Sequence, residues 1–205
     1  MPDFSLEDAS GGASVAGVDE AGRGPWAGPV VAAAVILDRN GLSRDLAFGL
    51  DDSKKVPAAR RQRLFNALQS SARIGVGRAE VADIDSMNIL AATLLAMSRA
   101  VAALGAVPDL ALIDGNQIPR LSCPARAVIG GDGLSLSIAA ASIIAKVTRD
   151  RLMADLALAH PGYGWERNKG YGTAEHRAAL ETLGVTPHHR RSFRPIRKIV
   201  GTDSA

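Results

Sequence analysis

Two adjacent carboxylates, Asp19 and Glu20, follow a short apolar run and stand directly before a glycine-rich turn. The run at residues 15–18 predicts a buried strand, and a core strand does not end on charged side chains unless that charge has a partner. Residues 22–24 read Gly-Arg-Gly, so backbone amides and a guanidinium can approach an anion that any Cβ would obstruct. Carboxylates next to an anion-binding element predict a bridging cation, and therefore an active site.

The chain after this turn predicts a second strand. Two prolines lead into an apolar run at residues 30–37, whereas the glycine fingerprint of dinucleotide-binding folds leads into a helix, so we reject that interpretation. Residues 15–37 are predicted to form an antiparallel hairpin. Successive strand residues point to opposite faces, so the strand must end or twist between Asp19 and Glu20 if both are to reach one ion. An ordinary hairpin with a polar tip stays open as the alternative, because turns favour Gly and Asp.

Two more apolar runs end beside a carboxylate and a glycine. Asp114 follows the run at residues 110–113 and Asp132 follows the run at 127–129, and both runs predict short strands. With the first pair, this places four carboxylates at or just past the ends of three strands that should be neighbours in one sheet. Hard oxygen ligands, without a second cysteine or a spaced histidine pair, favour Mg²⁺ or Mn²⁺ over Zn²⁺. Taken singly, Asp114 and Asp132 could instead cap loops.

Composition favours one α/β domain. The chain has 205 residues, of which 47% are hydrophobic and only 4% aromatic, so its core is built from aliphatic side chains. We expect a single domain over 1–205, with a catalytic core at about 14–160 and a helical, basic segment at about 161–200. One cysteine, Cys123, excludes an internal disulfide and favours a reducing compartment. No signal-like start and no membrane-length apolar run is present, which predicts a soluble, cytoplasmic protein.

The remaining pattern predicts the elements that would position the carboxylates. Residues 1–13 are expected to be a flexible lead, a helix should start at Pro57, and residues 74–81 should form a third strand. Ser86 is expected to cap the next helix. A long alanine-rich helix is predicted over 135–160, close against the sheet. A helix through Leu180 should end at Gly184.

The carboxy-terminal part suggests contact with nucleic acid. An aromatic, glycine-rich loop at 161–173 is followed by a basic run at 190–198 that contains no acidic residue. A module that binds nucleic acid without catalysis is therefore the alternative function. It does not account for the four carboxylates, which would repel phosphate unless a metal ion intervened. Lys54 and Lys55, in the polar loop before the first long helix, are by pattern solvated rather than catalytic.

Several sequence blocks, in order and over roughly residues 14–195, resemble bacterial type 2 ribonuclease H, ribonuclease HII. Several long motifs together are far more specific than any one of them. The blocks are Asp19-Glu-Ala-Gly-Arg-Gly-Pro, Leu50-Asp-Asp-Ser-Lys-Lys, Ile113-Asp-Gly-Asn, Ser137-Ile-Ala-Ala-Ala-Ser-Ile-Ile-Ala-Lys-Val-Thr-Arg-Asp, Lys169-Gly-Tyr-Gly-Thr and His188-His-Arg-Arg-Ser-Phe.

This resemblance implies an RNase H-like mixed five-stranded sheet flanked by helices, with a small helical carboxy-terminal part. It also implies endonucleolytic cleavage of RNA in RNA/DNA hybrids and at single ribonucleotides in duplex DNA, by a monomer that serves replication and repair. Two Mg²⁺ or Mn²⁺ ions would flank the scissile phosphate and leave 3′-hydroxyl and 5′-phosphate ends. The residues that match the family are Asp19, Glu20, Asp114 and Asp132 as metal-binding acids, Gly22, Arg23 and Gly24 as the substrate-binding turn, and Tyr171 as the junction-sensing tyrosine.

Two positions qualify the resemblance. Gly130 stands where the family usually has a lysine directly before the Gly-Asp pair, so a cation near Asp132 is lost. Tyr171 could also be a packing aromatic, since buried tyrosines commonly bury the ring and hydrogen-bond the hydroxyl.

Overall fold

The computed structural model describes residues 1–11 and 14–202, and one mixed sheet lies at its centre. The strands are β1 (Val15–Ala21), β2 (Val30–Leu37), β3 (Ala72–Ala79), β4 (Leu110–Asp114) and β5 (Ala125–Val128). They lie in the order β3-β2-β1-β4-β5. Strand β2 is antiparallel to both β1 and β3, whereas β4 is parallel to β1 and to β5. The predicted hairpin and the predicted five-stranded mixed sheet are confirmed.

Helices cover both faces of this sheet. In chain order, the helices of the described residues are α1 (Ser5–Asp8), α2 (Arg44–Gly49), α3 (Ala58–Ser71), α4 (Val81–Met87), α5 (Ile89–Ala102), α6 (Leu136–Ala159), α7 (Trp165–Asn168), α8 (Ala174–Leu183) and α9 (Arg194–Thr202). Along β2, Ala33 and Val35 pack with α3 and α6 on one face, while Ala32 and Ala34 pack with α5 on the other. Burial on both faces explains why this strand reads as an unbroken apolar run.

The long alanine-rich helix is confirmed as α6, with Ser135 and His160 as its caps. The Ser135 hydroxyl accepts a hydrogen bond from the backbone N–H of Ile138 at 3.1 Å. The helix lies so close to the sheet that a Cβ on Gly17 of β1 would come within 2.1 Å of the Ser137 backbone. This close approach brings the later turns of α6 near the carboxylates of β1.

The segment between β3 and α5 differs from the prediction. The third strand ends two residues early, because Glu80 begins α4 through a capping box with Asp83. The predicted cap at Ser86 is wrong, since Ser86 lies within α4 and Asn88 caps α5 with its side-chain oxygen. Asn88 has a φ of 76°, in the left-handed region that the apolar pattern does not reveal. Helices α3 and α8 and strand β4 are confirmed.

The expectation of a flexible lead is wrong for residues 1–11, and residues 12 and 13 lie outside the described part. Helix α1 carries Glu7, whose side chain is buried and accepts hydrogen bonds from the Ser135 hydroxyl at 2.7 Å and the Ser137 backbone at 3.0 Å. Asp3 adds backbone hydrogen bonds with Leu134 and Leu136. The amino terminus is thus fixed to the start of α6.

Beyond α6, helices α7, α8 and α9 form a small helical part with its own core. Tyr163, Trp165, Leu180 and Ile196 are buried there against Met153 of α6. The division of the chain into a core and a carboxy-terminal segment stays a prediction. In the part of the chain that the structure describes, no helix combines the length and apolar character needed to cross a membrane.

Candidate active site

The register of the central strands brings three carboxylates together. Val18 of β1 pairs with Ile113 of β4 in parallel, so the next residue on each strand, Asp19 and Asp114, lies at the same edge. One oxygen each from Asp19, Glu20 and Asp114 lie within 4.8 Å of one another. The prediction that these strands are neighbours is therefore confirmed, and three of the four predicted acids meet at one point.

Strand β1 does not end between Asp19 and Glu20. Pairing with β2 continues through Ala21, yet both side chains reach the same place. The carboxylate of Asp19 lies against the next peptide group, where its Oδ1 accepts from the backbone N–H of Glu20 at 2.6 Å. The expectation that the strand ends between the two residues is therefore wrong, whereas the alternative, a twist between them, stays a prediction.

The cluster concentrates negative charge in a largely buried position. Burial, and then the charges of Glu20 and Asp114, raise the pKa of Asp19 well above its ordinary value. Burial also raises the pKa of Glu20, although Arg23, 3.6 Å away, acts in the opposite direction. Among the described residues, no buried cation neutralises this group as a direct ion-pair partner of Asp19 or Asp114. Three hard oxygen donors at this spacing fit a divalent ion such as Mg²⁺ or Mn²⁺.

Asp132 is outside this group of three in the described part of the chain. It lies on a short 3-10 turn, Gly131–Gly133, which follows β5 rather than continuing it. The backbone N–H of Gly131 donates to Asp114 Oδ1 at 2.7 Å, so the turn is joined to the cluster. Burial, and then the charge of Asp114, raise the pKa of Asp132. A fourth ligand at this position stays a prediction.

Gly130 adopts the left-handed conformation, with φ 65° and ψ 33°. Glycine has no penalty there, whereas a side chain at this position would be strained. A Cβ would meet no atom within 4 Å, so the space next to the backbone is open. The loss of a cation near Asp132 stays a prediction.

A cavity of about 260 Å³ opens beside the carboxylates. Tyr171 stands at its edge with 49% of its surface exposed, so its ring is not buried in the way that the packing interpretation requires. The ring also faces the turn, because a Cβ on Gly24 would lie 3.3 Å from Tyr171 Cε1. The lining residues are Asp19, Glu20, Ala21, Gly22, Arg23, Gly24, Ser53, Lys54, Ser142, Lys146, Arg149 and Tyr171.

Lys54 is exposed, as expected from its polar loop, but it also lines this cavity. Burial lowers the pKa of Lys54, but the charges of Asp52 and then Asp19 outweigh that effect and raise it. The loop is held in place through Ser53, whose hydroxyl accepts from Ser142 of α6 at 2.9 Å. Sequence pattern alone did not indicate this role, since the loop also serves as the entry to α3.

Two buried arginines hold the glycine-rich turn, and the sequence reasoning did not identify either in that role. Arg149 of α6 donates to the carbonyl oxygens of Pro29 and Lys169, both at 3.0 Å, and of Ala27 at 3.2 Å. A Cβ on Gly22, which has φ 100°, would lie 1.9 Å from Arg149 Nε. Gly22 is therefore required both by its backbone conformation and by this arginine.

Arg190 begins the basic run at 190–198, the basic tail, which was expected to contact nucleic acid, and the structure corrects this for Arg190. It is fully buried and donates to the carbonyl oxygens of Gly28 at 2.9 Å, Arg23 at 2.8 Å and Gly22 at 2.6 Å. Burial, and then the charge of Arg149, lower its pKa to about 9. Arg191 and Arg194 are exposed.

Comparison with known proteins identifies the relatives of this arrangement. The sequence profile described as ribonuclease HII matches residues 16–196. The chain belongs to the ribonuclease HII family. A relative from Ruegeria pomeroyi named ribonuclease HII is 62% identical to this chain, and the match covers 98% of this chain and 86% of that protein. A second relative of the same name, from Rhodospirillum rubrum, is 64% identical, and the match covers 97% of this chain and 91% of that protein.

Solved structures agree with this ribonuclease HII assignment. Ribonuclease H2 from Pyrococcus horikoshii superposes with a TM-score of 0.75 at 28% identity, over 92% of this chain and 98% of that one. A Bst-RNase HIII structure in complex with Mn²⁺ has a TM-score of 0.76 at 21% identity, covering 100% and 74%, and shows the shared fold. As a ribonuclease HII, this chain is a ribonuclease H endonuclease of a family that depends on divalent metals and acts on RNA/DNA hybrids.

Proposed function

We propose that this chain cleaves the RNA strand of RNA/DNA hybrids and also cuts at single ribonucleotides in duplex DNA, and so removes ribonucleotides during replication and repair. The observation that carries the proposal is the meeting of three carboxylates beside the glycine-rich turn, two of which, Asp19 and Glu20, line a cavity that the half-exposed Tyr171 borders. Cleavage would leave 3′-hydroxyl and 5′-phosphate ends.

Asp19, Glu20, Asp114 and Asp132 are the proposed holders of two divalent ions, Mg²⁺ or Mn²⁺. When bound, such ions supply an activated water and neutralise the charge that develops on the leaving oxygen. The role of the protein is to keep the carboxylates in place, which β1 and β4 do through their parallel register. The turn that carries Asp132 is joined to the cluster, because the Gly131 N–H donates to Asp114 Oδ1, and this supports Asp132 as the proposed fourth ligand.

Residues 22–24 are proposed to recognise the ribose. A 2′-hydroxyl is the group that distinguishes RNA from DNA, and a turn with glycine on both sides of Arg23 lets the backbone approach it directly. The Arg23 side chain is half exposed and lies 3.6 Å from Glu20, so it can contact a phosphate at the edge of the acidic cluster. Arg190 holds the carbonyl groups of Gly22 and Arg23, and Arg149 holds that of Ala27 further along the same connection, which leaves the amides and side chains of residues 22–24 in one arrangement.

Tyr171 is proposed to read the nucleotide that follows the ribonucleotide. A ring stacked on a deoxyribose would be obstructed by a 2′-hydroxyl, so the enzyme would favour a junction from RNA to DNA over continuous RNA. The exposed ring and its position next to Gly24 support this role, because both place the ring where a bound duplex would pass the turn. Monomeric state and cytoplasmic location stay predictions.

The test is cleavage of three duplexes: DNA with one ribonucleotide, a continuous RNA/DNA hybrid, and DNA alone. With Mg²⁺ or Mn²⁺ we expect cleavage of the first two, with the stated ends, and no cleavage of the third. The exposed arginines of the tail also fit a module that only binds nucleic acid. Tight binding of all three duplexes without any product would favour that alternative and reject the proposed activity.

A further inference from the structure

His176 and His189 are fully buried in the carboxy-terminal core, and the mechanism above assigns them no role. His176 lies in the first turn of α8, and His189 lies between α8 and α9. The backbone of His189 forms a β-bridge with Ala27 of the glycine-rich turn. The two imidazoles face each other, with 3.0 Å between their Nε2 atoms.

The hydrogen-bond partners fix where each proton lies. The Tyr171 carbonyl oxygen can only accept, and it is 3.0 Å from His176 Nδ1, so that nitrogen carries a proton. The backbone N–H of Thr186 can only donate, and it is 2.9 Å from His189 Nδ1, so that nitrogen carries none. In neutral rings, His189 then donates from Nε2 to the bare Nε2 of His176.

These hydrogen bonds form a series in which every donor points the same way, from Thr186 through His189 and His176 to the backbone carbonyl of Tyr171. The indole N–H of Trp165 also donates to His176 Nε2, at 3.2 Å. A further proton on either ring would place two donors against each other. Burial lowers the pKa of both histidines, that of His189 to about 4.

This series of hydrogen bonds ends at Tyr171, whose ring borders the cavity beside the carboxylates. The Tyr171 carbonyl also accepts from Thr173 at 2.8 Å, and the Tyr171 N–H donates to Asn168 at 2.9 Å, but both of these partners are local in sequence. The bond from His176 joins the Tyr171 backbone to α8. Through His189 and Ala27, it also joins Tyr171 to the glycine-rich turn. The two proposed substrate-reading elements are thereby linked behind the cavity.

We propose that His176 and His189 are positioning residues, which hold Tyr171 at the distance from the glycine-rich turn that reading an RNA-to-DNA junction requires. The inference rests on the proposed role of Tyr171. It assigns no contact with substrate to either histidine. Their effect is on the choice between substrates, because a displaced ring changes the fit of the junction while leaving the carboxylates where β1 and β4 hold them.

The measurement is the junction preference: the ratio of kcat/KM for DNA with one ribonucleotide to kcat/KM for a continuous hybrid. Loss of folded enzyme lowers both values equally and cancels in this ratio. His176→Phe keeps a ring but removes all three hydrogen bonds of the imidazole, including the one to Tyr171. We expect the preference to fall about 2- to 12-fold, the factor for the one net hydrogen bond that holds Tyr171. His176→Asn places an amide N–H near the position of Nδ1 and should keep most of the preference.

Three further variants complete the design. Leu180→Ala is the matched control, because Leu180 is buried in the same helix but its side chain takes no part in the hydrogen bonds between the histidines and Tyr171. This variant should leave the preference unchanged. Tyr171→Ala should lower the preference, and adding His176→Phe to it should lower it no further. His189→Gln can still donate toward His176 and should behave like His176→Asn.

The outcomes separate the two proposals. If Tyr171→Ala lowers the preference but His176→Phe does not, or if His176→Asn loses as much as His176→Phe, the positioning role is wrong while the role of Tyr171 stands. If Tyr171→Ala leaves the preference unchanged, the role of Tyr171 is wrong and the inference falls with it. If the wild-type protein cleaves neither substrate, the proposed function fails first.

Discussion

Replacement of Asp19 by asparagine should abolish cleavage and, without divalent ions, make the fold more stable. Asp19 is 5% exposed, and its pKa is raised well above its ordinary value by burial and by the neighbouring carboxylates. Asparagine keeps an oxygen that can accept from the Glu20 backbone, so the local hydrogen bond can survive. The substitution therefore removes charge with little change in shape.

The gain in stability follows from the spacing of the cluster. Oxygens of Asp19, Glu20 and Asp114 lie within 4.8 Å of one another. Between effective dielectric constants of about 80 and 20, two unit charges at that distance repel by roughly 1 to 3 kcal/mol. Removal of one charge should raise the free energy of unfolding by a value on that order. The gain should shrink towards pH 4, because there Asp19 is already protonated in the folded wild-type protein.

Urea denaturation of both proteins, in EDTA and in excess Mg²⁺ or Mn²⁺, measures this effect. In EDTA the variant should be the more stable protein, whereas divalent ions should stabilise the wild type more than the variant. Asp155→Asn, at an exposed position of α6, is the matched control for loss of one carboxylate and should change neither value by much. A variant less stable than wild type in EDTA, or stabilised equally by the ions, would refute the reasoning.

Three other predictions use separate measurements. Tyr171→Ala should lose roughly 1 to 3 kcal/mol in kcat/KM on DNA with one ribonucleotide, whereas Tyr171→Phe should lose little if stacking dominates. If Tyr171→Ala keeps the wild-type ratio of kcat/KM between this substrate and a continuous hybrid, stacking is rejected. Alanine at Arg191 and Arg194 should reduce the salt slope of substrate binding by up to about two and leave kcat at saturation largely unchanged, and an unaltered slope would show that neither contacts phosphate. Burial and then the charge of His176 lower the pKa of His189 to about 4. The contribution of neutral His189 to the free energy of unfolding is therefore complete above about pH 6.5, and up to about 3 kcal/mol of it is lost as the pH falls towards 4. His189→Gln should flatten this decline in unfolding free energy, and an unchanged decline would place its origin elsewhere.

The meeting of Asp19, Glu20 and Asp114 could be predicted because it depends on strand order. Apolar runs that end on a carboxylate beside glycine indicate residues at the carboxyl ends of strands, and parallel neighbours bring those ends together. The position of Asp132 was harder to predict, because β5 ends at Val128 and a short 3-10 turn intervenes. A carboxylate on a turn has no register from which its distance can be inferred.

The buried arginines could not be predicted from local pattern. Arg190 stands in a run of cations whose composition indicates a solvated, phosphate-binding segment, while Arg149 stands within an alanine-rich helix. Their burial depends on carbonyl groups of the glycine-rich turn, which are more than a hundred residues away in sequence. The helix at residues 5–8 was missed for a similar reason, since its buried Glu7 bonds to the start of α6.

Cleavage of duplex DNA that carries one ribonucleotide, by wild type and by Asp114→Asn across a Mn²⁺ titration, tests the central claim most directly. The account predicts a nick with 3′-hydroxyl and 5′-phosphate ends for the wild type, dependent on the ion. It predicts no nick for Asp114→Asn at any Mn²⁺ concentration, although that variant should still bind the duplex. Wild-type cleavage that persists in EDTA, or near-normal turnover by Asp114→Asn, would contradict the assignment of the three carboxylates as the metal-holding centre.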